Sequence, residues 1–153
     1  MRRRRCGRRE VHPRLILAAT PALADVTVTD GDSLVVDGVR IRLHAIDAAE
    51  YKQNCADGWP AGVMAFDALR AMVAGRTVAC EPKTTDRYGR TVAVCRADGV
   101  DLGAAMVHSG HSWAFTRYSA DYIEQEREAR AARAGVHGHD CVPAWEWRAR
   151  QRQ

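Results

Sequence analysis

Polar and apolar residues alternate strictly along Val39-Arg40-Ile41-Arg42-Leu43. The pattern predicts a strand with Val39, Ile41 and Leu43 on one face and Arg40 and Arg42 on the other. Asp37-Gly38 just before it is a two-residue hairpin signal, since the central positions of such a turn need positive φ. Ser33-Leu34-Val35-Val36 is therefore read as the partner strand, and 26–29 as a third, with Asp30-Gly31-Asp32 as the turn between them. The period then changes. Over 61–74, Val63, Phe66, Leu69 and Val73 recur at helical spacing and Gly75 can close the helix. Strand-like runs at 76–80 and 91–95 flank a long connection that holds Thr85-Asp86-Arg87-Tyr88-Gly89-Arg90. Asp101 is read as the cap of a short helix with Leu102, Ala105 and Met106 inward, ending near Gly110. Ser119 caps a last helix to about Arg133, with Glu126 and Arg130 paired at i,i+4 on its solvated face.

Three strands, a helix, a two-stranded hairpin and two helices describe a small barrel flanked by helices. Closing five strands in Greek-key order is the OB-fold plan. The expected fold class is therefore α+β: a five-stranded OB-fold Greek-key β-barrel with three α-helices. A chain of 153 residues has room for one such domain. Its 46% hydrophobic and 27% charged residues are globular composition.

The net charge of +4 suggests a polyanionic partner until it is located along the chain. Seven of 23 basic residues and one of 19 acids lie in the first 14 positions, so that stretch carries +6 and the remainder −2. The arginine run, the apolar Leu15-Ile16-Leu17-Ala18-Ala19 and Ala22-Leu23-Ala24 follow the order of a secretory signal with an A-x-A cleavage site. The expected organisation is a signal peptide over 1–24 and a mature domain over 25–150, secreted or periplasmic. A basic arm, or a start codon placed too far upstream, is the alternative. No apolar run approaches the roughly 20 residues of a membrane span, so no membrane anchor is expected.

Cys6 would leave with the leader, and Cys55, Cys80, Cys95 and Cys141 remain. If the strands that end in Cys80 and Cys95 pair, their sulfurs meet across the hairpin; otherwise they are buried thiols. Nothing local brings Cys55 to Cys141, and their pairing is left open.

Asp32, Asp47 and Glu50 are placed on turns at strand ends. Three converging carboxylates repel one another unless a cation sits among them, and all-oxygen ligation suits Ca²⁺ or Mg²⁺. Taken singly, each acid reads equally well as a turn former. Arg42 and Arg90 complement them, because a guanidinium presents a planar fork to phosphate oxygens. His137-Gly138-His139-Asp140-Cys141 has ligand types that suit zinc or copper, and the bland reading is an incidental density of loop histidines.

Thr29-Asp30-Gly31-Asp32-Ser33, Arg42-Leu43-His44-Ala45-Ile46-Asp47-Ala48-Ala49-Glu50 and Thr85-Asp86-Arg87-Tyr88-Gly89-Arg90, in this order, resemble the staphylococcal nuclease (thermonuclease) family, in a secreted bacterial-type form. The likeness runs from about Val26 to Arg148 and includes Pro143-Ala144-Trp145-Glu146-Trp147-Arg148. It implies a calcium-dependent hydrolase of phosphodiester bonds in DNA, with RNA open as a second substrate. Asp32, Asp47 and the carbonyl of Ala48 are the implied Ca²⁺ ligands. Glu50 is the implied general base, and Arg42 and Arg90 the groups on the scissile phosphate. Arg87 and Tyr88 would meet a neighbouring phosphate, and Phe115 would stack on a base. A monomer is expected.

The chain departs from the family pattern at Ala49, where a Pro is usual, and at Ala48, where a hydroxyl residue is frequent. Ser33 replaces a Thr. Ala61 stands where some secreted relatives carry a Cys, which removes that partner for Cys55. A non-catalytic OB-type module that binds nucleic acid or protein is the alternative function. Such modules lose the acid and arginine set, which is complete here. A disulfide-held structural domain would explain the cysteines but not the polar residues.

Overall fold

The computed structural model of the chain describes residues 23–152. The expected leader, Cys6 included, lies outside the described residues except for its last two positions. The elements in chain order are β1 (Val26–Asp30), β2 (Ser33–Val36), β3 (Val39–Leu43), β4 (Ile46–Ala48), α1 (Ala61–Val73), β5 (Val78–Thr85), β6 (Thr91–Ala97) and β7 (Val100–Asp101). They continue as α2 (Leu102–His108), β8 (Ser112–Ala114), α3 (Ile123–Ala131), a 3₁₀ turn (Gly135–His137) and α4 (Ala144–Gln151). The fold is mixed α+β. Among the described residues four α-helices stand where three were expected, because Ala144–Gln151 forms a further helix after Pro143. With only eight residues, α4 is too short to show an apolar period.

Asp37 and Gly38 both have positive φ, at 48° and 83°, so β2 and β3 join through the tight turn that their sequence demands. Ile41 and Leu43 enter the core, but Val39 at the hairpin tip is 49% exposed, since nothing packs over it there. The sheet runs β1-β2-β3-β6-β5, with β7 added to β6, and β4 pairs separately with β8. Among the described residues no ladder joins β1 to β5, so as paired the sheet has two edges. The β3–β6 ladder is parallel, with Ile41 opposite Thr91. That register brings Arg90, the residue before Thr91, alongside the strand that carries Arg42.

Leu34, Leu43, Ile46, Leu69, Leu102 and Met106 fill the main core between the sheet, α1 and α2. The buried stripe of α1 runs Ala61, Ala65, Leu69, Val73, leaving Val63 and Phe66 half-buried. Small residues on that stripe let the turn before β2 come close. A Cβ on Gly31 would lie 2.7 Å from Ala65 Cβ and 2.8 Å from Ala48 Cβ. A second cluster holds Ala49, Cys55, Trp113, Val136 and Ala144. It docks the start of α4 against the segment that follows β4.

The last predicted helix begins later than Ser119. Ser119 Oγ accepts from Asp121 N at 3.2 Å within a turn, and the helix starts at Ile123. Tyr122 decides this: it is buried, and its hydroxyl donates toward the Asp101 carboxylate at 3.1 and 3.2 Å. Asp101 also caps α2 by accepting from Ala104 N at 3.0 Å, as its sequence predicts. Cys80 and Cys95 face each other in the β5–β6 ladder and are bonded, with Cα atoms 4.0 Å apart. Cys55 and Cys141 are also bonded, Cα atoms 4.3 Å apart across 86 residues of sequence. No helix among the described residues is long and apolar enough to cross a membrane.

Candidate active site

The turn after β1 presents Asp32, which lies buried beside Ser33. Asp47 is a correction to the turn reading. It lies inside β4, paired across to Trp113, and its side chain is 0% exposed. A carboxylate so placed needs counter-ions, and it has two. Arg42 Nη2 reaches Asp47 Oδ1 at 2.9 Å and Asp32 Oδ2 at 3.1 Å, so one guanidinium bridges both acids. From α4, Arg148 forks onto Asp47, with Nη2 to Oδ2 at 2.7 Å and Nη1 to Oδ1 at 3.2 Å. Its Nη1 also reaches Glu50 Oε1 at 2.7 Å.

The other arginine joins through a hydroxyl. Ser33 Oγ donates to Asp32 Oδ1 at 2.7 Å and accepts from Arg90 Nη1 at 3.2 Å. Arg90 Nε is held by Asp86 Oδ2 at 2.7 Å, while Asp86 Oδ1 accepts the backbone N–H groups of Tyr88 and Arg90 at 2.9 and 3.0 Å. Asp86 thus ties its own turn and aims Arg90 into the cleft. The run Arg90–Ser33–Asp32–Arg42–Asp47–Arg148–Glu50 is one connected network.

Glu50 sits where the chain leaves β4. Its backbone N–H donates to Gln53 Oε1 at 3.3 Å, and buried Gln53 donates from Nε2 to Val142 O at 2.8 Å. Gly62 makes this approach possible, since a Cβ there would collide with the Glu50 carbonyl. Arg87 bonds the Tyr88 hydroxyl at 2.7 Å and lies 4.8 Å from its ring centre, leaving the Tyr88 ring exposed at the cleft wall. On the opposite side Phe115 packs 5.4 Å from Trp145 and 5.0 Å from Tyr118.

One cleft of about 840 Å³ is lined by Asp32, Arg42, Ala48, Glu50, Arg87, Tyr88, Arg90 and Phe115, with Asp47 beneath its floor. Seven Lys or Arg side chains face it against four carboxylates. The positive field missing from the body's net charge is therefore supplied locally. Arg148, Asp86 and Trp145 belong to this site although the resemblance assigns them no role. Asp86 was detectable from its i,i+4 spacing to Arg90 across a Gly turn, whereas Arg148 carried no local signal.

Charge in the acid pocket is not balanced. Four carboxylates, Asp30, Asp32, Asp47 and Glu50, face the guanidiniums of Arg42 and Arg148, a surplus of two negative charges. Burial, together with Asp32 and Glu50, pushes the Asp30 carboxyl up to about 6. Burial also raises Asp47, against the pull of Arg148 and Arg42. Burial opposes the charge on Arg148, but its bonds to Asp47 and Glu50 outweigh that and hold the guanidinium above its usual range. Among the described residues no three Asp, Glu, His or Cys groups gather as a bare ligand cluster, because the guanidiniums stand between the acids. The surplus charge and the hard oxygen donors nevertheless fit a divalent cation such as Ca²⁺ or Mg²⁺. The histidine-rich loop does not gather: Cys141 is in a disulfide, His139 stacks on Trp59 and bonds Asp57 at 2.8 Å, and His137 is turned inward.

Guanidiniums converging over an acidic, oxygen-lined floor suit a protein that handles phosphate esters. Residues 40–137 match the family described as staphylococcal nuclease homologue. An uncharacterized endonuclease of Escherichia coli O157:H7 is 37% identical, covering 82% of this chain and 84% of the relative. The protein ParB of Escherichia coli is 33% identical over 88% of this chain and 85% of its own length. A micrococcal nuclease of Shigella flexneri is 31% identical over 88% and 87%. The chain belongs to the staphylococcal nuclease family. It is a nuclease of that family, a phosphodiester hydrolase.

Proposed function

We propose that the protein is a secreted, calcium-dependent nuclease that cleaves DNA, and RNA as a second substrate, acting as a monomer. The connected run from Arg90 to Glu50 supports this reading, since it joins two arginines and the acids in one bonded network along a single cleft. Two disulfides support an oxidising compartment, in keeping with cleavage of a leader after Ala24. The strand order and the parallel β3–β6 pair support an OB-type Greek-key plan.

Arg42 and Arg90 hold the non-bridging oxygens of the scissile phosphate, and their charge counts most as negative charge builds during attack. Glu50, which lines the cleft and is bonded at Oε1 by Arg148, takes the proton of the attacking water. Arg90, held through Nε by Asp86, stands next to the leaving oxygen. Arg87 and Tyr88 hold a neighbouring phosphate, and Phe115 offers a ring to a base. Asp32, Asp47 and the Ala48 carbonyl would hold Ca²⁺, which supplies screening of phosphate charge.

The test is cleavage of single-stranded DNA by the mature domain, with Ca²⁺ or with chelator. Chelation should abolish cleavage, and Glu50→Gln or Arg90→Ala should lower kcat by about 100-fold or more. Cleavage indifferent to chelator defeats the calcium assignment, and full activity in those variants defeats the assigned roles.

A further inference from the structure

Arg148 occupies a position that the family motifs leave unassigned. Its guanidinium bonds both oxygens of Asp47 and one of Glu50, the acids that form the floor and rim of the cation pocket. With Arg42 on Oδ1 as well, three N–H bonds already fall on one fully buried carboxylate. A carboxylate offers about four lone-pair sites, so little of Asp47 remains for another cation. A dication lodged there would also face the guanidinium at close range with like charge.

One of the two arginines must give way, and the structure distinguishes them. Arg42 lies on the central strand β3, is 20% exposed and is held additionally by Asp32 and by Ile46 O at 3.3 Å. Arg148 is 32% exposed and stands on α4, where the residues that follow it are exposed. The start of α4 is anchored by buried Ala144, by the Cys55–Cys141 bond and by Gln53 on Val142 O. Beyond Trp147 the helix surface is open, and the Arg148 fork is what fastens it to β4. Releasing the fork therefore frees the end of α4 without undocking its start.

We propose that Arg148 is the resident cation of the pocket: its guanidinium occupies Asp47 and Glu50 in the calcium-free protein, and Ca²⁺ binds by displacing it from Asp47, loosening the end of α4. The proposal rests on the calcium reading above. Arg148 is a positioning residue, and metal loading is an exchange of one cation for another.

The experiment measures Ca²⁺ affinity by calorimetry on the intact mature protein and on Arg148→Gln, together with amide exchange in wild-type α4. The variant should bind Ca²⁺ about tenfold more tightly or better, which is about 1.4 kcal/mol. It should also unfold at lower temperature in chelator. Arg148→Lys, which keeps the charge but not the fork, should fall between the two. In the wild type, Ca²⁺ should reduce exchange protection over 147–151. If wild type binds Ca²⁺ and Arg148→Gln binds no tighter, this proposal fails while the calcium reading stands. If neither protein binds Ca²⁺, both fail. Should Arg148→Gln not fold, the wild-type exchange decides: protection of 147–151 that stays the same or rises with Ca²⁺ overturns the displacement.

Discussion

Gly62→Ala separates a local preference from a tertiary one. Gly62 is the second residue of α1, where replacement by Ala gains at most about 1 kcal/mol of helix propensity. The new Cβ, however, would overlap the carbonyl of Glu50, a backbone group that no rotamer change can move. Overpacking of this kind costs about 1–3 kcal/mol, and a rigid neighbour places it at the upper end. The expected net loss is about 2 kcal/mol, with the Glu50 segment displaced from α1. That segment carries Glu50, the proposed general base, and misplacement by about 1 Å costs on the order of 100-fold in rate. Thermal unfolding and single-turnover cleavage should therefore fall together. A variant with raised Tm and wild-type turnover would refute the close approach as the reason for glycine at this position.

Asp86→Asn keeps the shape of the turn but removes the charge that holds Arg90 Nε, so kcat should drop about tenfold or more with little change in Tm; an unchanged kcat would free Arg90 from this partner. Replacing Cys55 and Cys141 by Ala should cost more stability than replacing Cys80 and Cys95, roughly 4–5 against 3 kcal/mol by loop-closure entropy for separations of 86 and 15 residues; urea unfolding gives the order, and a reversal would sink it. His137 is 3% exposed, and burial with nearby Arg130 depresses its pKa to about 4. The unfolded chain then binds more protons between about pH 4 and 6.5, so stability should fall as pH drops through that window, by at most about 3 kcal/mol. His137→Gln should flatten this part of the urea-unfolding profile, and an unaltered slope would remove His137 as its source.

Much of the molecule was legible along the chain because its causes are local. Positive φ at Asp37-Gly38, the alternation through Ile41 and Leu43 and the Asp101 cap each depend on a few neighbouring residues. The three motifs likewise placed Asp32, Arg42, Glu50, Tyr88 and Arg90 on one cleft. Where local signals competed with burial they lost: Ser119 yielded the start of α3 because Tyr122 had to go under α2, and Asp47 left its turn for the middle of β4.

Tertiary structure alone decided the rest. The Arg148 fork joins residues 101 and 98 positions apart, and the Cys55–Cys141 bond spans 86. Such pairings are invisible to any window of period or capping, because they arise only when a second apolar cluster docks α4 beside β4. The sequence determined which chemical groups the site possesses and the local turns that present them. Which cation sits on the buried acid depended on packing, since only the closed fold makes that charge costly enough to demand a partner from the far end of the chain.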